Sequence, residues 1–225
     1  MSIRCVRGFA SVVALCSVTA LGLARPALAA EAAAAGGDAT AGAAKATTCG
    51  ACHGMTGNNN VNPEWPNLAG QHAGYIVEQL TLFKSAVRSN PVMQSMALPL
   101  AAADMADVAA YFEKQTPAGL EADANLWKAG EKLYRGGDAG RGIPACGSCH
   151  GPDGRGNGPA KWPQIRAQHA TYVATQLRNY AARTRYAAAA GQVAPPAPAE
   201  MMYDTAKRLS EDDIKALAAY VQGLR

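Results

Sequence analysis

Two pentapeptides constrain this chain more than any other part of it: Cys49-Gly-Ala-Cys-His53 and Cys146-Gly-Ser-Cys-His150. In the spacing C-x-x-C-H, two thiols three positions apart reach the two vinyl groups of one haem and become thioethers. The His that follows then lies under the iron and supplies an axial nitrogen. One such pentapeptide can arise by chance; two are a specific signal. They predict two covalently bound haem c groups, one on Cys49 and Cys52 with His53, the other on Cys146 and Cys149 with His150.

The remaining cysteines fit this reading. Residues 1–29 have the layout of a cleaved signal peptide: Arg4 and Arg7, then an apolar run from Phe9 to Leu23, then Ala27-Leu28-Ala29. The mature chain is expected to begin at Ala30, in the periplasm. The apolar run is short for a transmembrane helix, and Val13-Ala14-Leu15 before Cys16 is a poor lipoprotein site. Export removes Cys5 and Cys16, so both pentapeptides together use every cysteine left. Four thiols in an oxidising compartment ordinarily suggest two disulfides, but the His after each pair argues otherwise. A thioredoxin-like C-x-x-C needs a βαβ context, and this chain is Ala-rich and poor in β-branched runs. A Cys2His2 zinc site needs a second His at finger spacing. Aromatic residues make up only 6% of the chain, so a core of protein alone would be thin; two buried porphyrins supply apolar bulk.

The chain repeats itself. His53 and His150 are 97 residues apart, and the same offset relates Trp65-Pro66 to Trp162-Pro163 and Gln71-His72-Ala73 to Gln168-His169-Ala170. It also relates Tyr75 to Tyr172 and Gln79-Leu80 to Gln176-Leu177. Farther on the offset is 109, matching Leu100 to Leu209 and Ala110-Tyr111 to Ala219-Tyr220. The second copy therefore carries twelve extra residues, placed in the Ala-, Gly- and Pro-rich stretch from Tyr186 to Glu200, which reads as an irregular loop. The expected organisation is a first domain at 30–116, a linker at 117–125 and a second domain at 126–225. Each copy reads as helical. Asp38 to Thr48 is expected as a short helix leading into the first pentapeptide. Ile76, Leu80, Phe83 and Val87 lie on one helical face, as do Met105, Val108, Ala109 and Phe112. Ser210-Glu-Asp-Asp213 opens the last helix with a capping box.

The repeat also selects a sixth ligand. Carried back by 109, Met202 falls on Met93, whereas Met96 meets Thr205, Met105 meets Ile214 and Met201 meets Val92. Met93 and Met202 are therefore the expected second axial ligands, each read as lying in a loop. Met105 and Met96 suit a gap-filling core role. His72 and His169 are the rivals, placed where a helix begins; bis-His ligation lowers the potential and Met raises it. A low-spin iron with two protein ligands has no open position for substrate and changes oxidation state with little change of geometry. Pro66 and Pro163 each follow the haem His by thirteen residues. Either a carbonyl there accepts the His N–H and fixes the ring, or Trp-Pro shapes a loop.

Charge divides unevenly. Residues 30–120 hold four Lys or Arg against seven Asp or Glu (−3), and residues 121–225 hold fourteen against ten (+4). A dipolar molecule presents different faces to donor and acceptor. No basic patch with interleaved aromatics is present, which gives no support to nucleic-acid binding.

As a set, these residues resemble the cytochrome c4 family of dihaem c-type cytochromes across the whole mature chain. The likeness rests on Cys49 to Gly54, Trp65-Pro-Asn-Leu-Ala-Gly-Gln71, Tyr75…Gln79-Leu80 and Ala109-Ala-Tyr-Phe112. In the second half it rests on Gly130 to Gly137, Pro144 to His150, Gln168-His-Ala…Tyr172 and Leu209 to Leu224. The family's Met ligands fall on Met93 and Met202. The resemblance implies an all-α fold of two tandem cytochrome c-like (class I) domains related by a pseudo-twofold axis, with the haems edge to edge near the interface. It implies a periplasmic electron carrier rather than an enzyme, often associated peripherally with the membrane. The partners expected are redox proteins: a terminal oxidase or reductase on one side, a quinol:cytochrome c reductase or a dehydrogenase on the other. The Pro- and Ala-rich approach to Met202 departs from the family and is expected to be looser than the approach to Met93. A dihaem subunit of a dehydrogenase complex, such as flavocytochrome c sulfide dehydrogenase, is the alternative. A dihaem peroxidase would need an open haem position with acid–base residues over it, and the symmetry of the halves argues against that.

Overall fold

The computed structural model describes residues 36–186 and 195–225. The expected signal peptide and cleavage site lie outside the described residues. Among the described residues ten α-helices fall into two runs of five, with one 3-10 turn at Ala139–Arg141. The first run is α1 (Ala39–Lys45), α2 (Thr47–His53), α3 (Ala73–Lys84), α4 (Pro91–Ala97) and α5 (Ala102–Glu113). The second is α6 (Trp127–Gly136), α7 (Gly147–His150), α8 (Ala170–Ala181), α9 (Pro198–Ala206) and α10 (Glu211–Gly223). Among the described residues there is no β-sheet, only two isolated bridges, Asp138 with Ile143 and Asn157 with Trp162. The expected all-α fold in two tandem halves is what the chain adopts.

Each half is held by its first helix crossing its last, and a glycine makes each crossing possible. A Cβ on Gly42 would lie 2.0 Å from the Asp107 carbonyl oxygen, and one on Gly130 would lie 2.0 Å from that of Ala216. A side chain longer than hydrogen at either position would push the helices apart. The predicted apolar faces then close over the crossing. Ile76, Leu80 and Phe83 of α3 meet Met105, Val108, Ala109 and Phe112 of α5. In the second half, Leu133 and Tyr134 of α6 meet Leu217, Tyr220 and Val221 of α10. The last helix also caps the third: Glu113 accepts from the Ala73 N–H at 2.7 Å, and Gln222 accepts from the Ala170 N–H at 2.8 Å. Those bonds satisfy helix-start donors for which the N-cap side chains, His72 and His169, form no capping hydrogen bond.

Three local expectations need correction. The Asp38 to Thr48 segment is broken at Ala46, where α1 gives way to α2, and Asp38 caps α1 through the Thr40 N–H. Met93 and Met202 lie on helices, α4 and α9, not in loops. Pro91 and Pro198, the second within the stretch read as an irregular loop, each stand in the first turn of those helices, where proline has no N–H bond to lose. The stretch from Tyr186 to Glu200 is likewise not irregular at its ends. Tyr186 is buried, and α9 begins at Pro198; residues 187–194 lie outside the described set. Ala199 and Tyr203 of α9 pack with Tyr186 against Leu82 and Val87 of the first half. The described end of the approach to Met202 is therefore anchored at the boundary between halves.

Candidate haem sites

The short helices α2 and α7 put each C-x-x-C-H pair on a single helical turn. The four cysteines, Cys49, Cys52, Cys146 and Cys149, are free thiols. Burial raises the Cys49 thiol and pushes Cys146 up to about 11. A redox-active C-x-x-C lowers the pKa of its nucleophilic thiol; these sites do the reverse.

His53 and His150 have the same environment. His53 Nδ1 lies 2.8 Å from the Pro66 carbonyl oxygen, and His150 Nδ1 lies 2.9 Å from that of Pro163. A carbonyl only accepts, so the proton sits on Nδ1 and the Nε2 lone pair faces away from it. Burial pulls both imidazoles below the ordinary histidine value, against the opposing pull of the proline carbonyl. Both rings are thus neutral and oriented, the condition of a metal-binding imidazole. The Trp-Pro repeat does more than shape a loop: it anchors the histidine.

The methionines separate by burial. Met105 is 4% exposed inside the first core, while Met55, Met96 and Met201 stand largely in solvent. Met93 and Met202 are intermediate. Met93 borders the same apolar cluster as Cys49. Cys146 borders the second-half core, whereas α9 turns Ala199 and Tyr203 toward the interface cluster. His72 and His169 are occupied elsewhere. Each donates through Nε2 to a carbonyl of the opposite half, His72 to Arg155 and His169 to Asn59, both at 2.8 Å.

Two further arginines complete the picture. Arg88 and Arg185 are buried and stand 97 residues apart. Arg88 donates to Gln79 Oε1 at 2.7 Å within its own half and to the Tyr172 hydroxyl at 3.0 Å across the interface. Arg185 donates to Gln176 in its own half and to the Tyr75 hydroxyl at 2.9 Å across it. Each guanidinium also covers a ring, Phe83 for Arg88 and Tyr180 for Arg185, at 4.5 and 4.9 Å. Burial pushes the Tyr75 hydroxyl up to about 12, against the pull of Arg185, so it stays neutral. Among the described residues no carboxylate pairs with either arginine. Buried cations call for buried anions, and Gln79 Nε2 beside them is buried without a partner. Haem propionates have the charge and acceptor capacity that this cluster lacks. The neutral oriented histidines, the unpaired thiols and the uncompensated arginines all fit the haem groups that the pentapeptides demand. Arg88 and Arg185 escaped the sequence reading although the offset of 97 already linked them.

Comparison with known proteins agrees. The cytochrome c family model matches twice, over residues 39–116 and 128–225. Cytochrome c4 of Pseudomonas aeruginosa is 42% identical over 190 residues, covering 84% of this chain and 90% of the relative. A thiosulfate dehydrogenase electron acceptor of Thiomonas intermedia is 34% identical over 180 residues, covering 79% of this chain and 78% of the relative. The crystal structure of reduced cytochrome c4 from Pseudomonas stutzeri superposes with a TM-score of 0.77 at 40% identity, covering 84% of this chain and all of that one. With two cytochrome c domains and two covalent haem c groups, this chain is an electron-transfer protein belonging to the cytochrome c4 family.

Proposed function

We propose that the protein is a periplasmic shuttle, carrying single electrons from respiratory-chain donors to a terminal oxidase or reductase. Cys49 and Cys52 hold the first haem and Cys146 and Cys149 the second. His53 with Met93, and His150 with Met202, are the axial pairs. The observation that carries this reading is the doubled His–carbonyl bond, Nδ1 to Pro66 and Nδ1 to Pro163, each directly on a C-x-x-C-H helix. When bound, haem iron supplies reversible one-electron oxidation and reduction. The protein's part is to hold each imidazole neutral and aimed, to keep water from the ring, and to join the two sites rigidly. Among the described residues no helix is long and apolar enough to cross a membrane.

The thiosulfate dehydrogenase electron acceptors among the relatives favour a second reading. In it the chain takes electrons from a sulfur-compound dehydrogenase and works as that enzyme's dihaem partner. The two readings separate by experiment. Reduced protein mixed with membranes bearing a terminal oxidase is expected to be reoxidised in catalytic fashion. Failure of reoxidation, together with co-purification of a dehydrogenase, would favour the second.

A further inference from the structure

The interface between the halves is built on the peptides that hold the haem histidines. The Pro66–Asn67 peptide offers its carbonyl to His53 and its N–H, through Asn67, to Gln168 Oε1 at 2.8 Å. Gln168 Nε2 closes the clamp by donating to the Asn67 carbonyl at 3.0 Å. The second half mirrors this. The Pro163–Gln164 peptide offers its carbonyl to His150 and its N–H, through Gln164, to Gln71 Oε1 at 3.0 Å. Gln71 Nε2 donates to the Gln164 carbonyl at 2.8 Å. Gln71 and Gln168 are 97 residues apart and both 7% exposed. Each therefore grips, in a buried interface, the peptide that orients the other half's histidine.

We propose that Gln71 and Gln168 are positioning residues acting crosswise: each tunes the haem of the opposite domain. This rests on reading His53 and His150 as the iron ligands. The physical cause is polarisation along one peptide unit. An amide whose N–H is donated becomes a stronger acceptor at its carbonyl, and chains of hydrogen bonds strengthen one another. A stronger acceptor at Pro66 draws the Nδ1 proton of His53 and makes its Nε2 more basic. A more basic axial nitrogen favours the ferric state and lowers the potential. Gln168 thus holds the potential of haem 1 down, and Gln71 does the same for haem 2. Neither glutamine borders its own domain's histidine in this way, so the effect runs across the interface in both directions.

The test uses Gln168→Met and Gln71→Met, which keep volume and remove both halves of the clamp. Haem methyl resonances, assigned through contacts with side chains of their own domain, are followed through an NMR redox titration of the full dihaem protein. Gln168→Met is expected to raise the potential of haem 1 and leave haem 2 unmoved; Gln71→Met is expected to do the converse. The His53 ring N–H is expected to exchange faster in the first variant and the His150 ring N–H in the second. A loosened interface without this polarisation would shift both haems together. Equal shifts, a shift confined to the substituted domain's own haem, or no shift would overturn the proposal. Gln168→Asn, one methylene short, is expected to move haem 1 in the same direction by less, and covers the case in which a Met variant fails to assemble. If the wild-type rings of His53 and His150 lacked hyperfine shifts, the ligand assignment itself would fall, independently of the clamp.

Discussion

A single carbonyl decides what each pentapeptide histidine can do. Pro66 and Pro163 fix the proton on Nδ1 and leave the Nε2 lone pair open for the proposed bond to iron. Thirteen residues separate each histidine from its acceptor, so the spacing was visible in the sequence while the bond was not; only folding aims the carbonyl inward. The methionine assignment belongs to this scale too. Met93→Ala and Met202→Ala are each expected to remove about half of the Met–iron charge-transfer intensity, whereas Met96→Ala, at an exposed position, is expected to remove none. Absorbance of the ferric protein checks both. Asp213 gives a pH prediction. The Arg141 guanidinium beside it and the bonds to Ser210 hold its carboxyl down to about 2. A depressed carboxylate stabilises the fold above its unfolded pKa and loses that contribution as pH falls toward its folded one. Asp213→Asn is expected to cost about 1–2 kcal/mol at neutral pH and progressively less below about pH 4. Thermal unfolding as a function of pH measures this; a cost that does not shrink in acid would contradict it.

At the level of elements, the two halves spend the same five helices differently. Ser210 (φ −76, ψ 166) completes a capping box at the start of α10. Ala101 stands at the equivalent start of α5 with nearly the same backbone (φ −74, ψ 165). It lacks the acceptor, so only the return bond from its N–H to Asp104 forms, at 2.9 Å. Ala101→Ser is expected to stabilise the first half by about 1 kcal/mol, read from calorimetry. Gly42→Ala and Gly130→Ala press a methyl into a facing carbonyl and are expected to cost about 3 kcal/mol each. Helical periodicity made α3 and α5 legible through their apolar stripes, although Val87, read on the α3 face, lies past the end of that helix in the interface cluster; the capping box marked the start of α10. Periodicity failed for α4 and α9. Seven and nine residues are too few to show a period, and proline at their starts reads as a loop signal when nothing shows that it fills a helix's first turn.

Over the whole molecule, the repeat foretold two domains but not how they join. Beside the apolar cluster of Leu82, Val87, Tyr186, Ala199 and Tyr203, the join is polar: Asn67, Gln71, Gln164 and Gln168 in two reciprocal clamps, and Arg88 and Arg185 reaching across to Tyr172 and Tyr75. Buried polar residues carry no periodic signal, so their role emerged only from the contacts, although each was paired in sequence by the offset of 97. Charge acts at this scale as well. The acidic first half and basic second half are expected to attract partners of either sign: electron transfer with an acidic partner at the basic end and with a basic partner at the acidic end both slow as salt rises. Stopped-flow rates with one partner of each sign decide this, and a rate that rises with salt for either partner would contradict it. The central claim is that this chain carries two equivalent His–Met haems. A spectroscopic redox titration of the full protein tests it most directly. Two one-electron centres are expected, both showing the Met–iron charge-transfer band when oxidised; a single centre, or a bis-His spectrum at either site, would contradict the His–Met assignment.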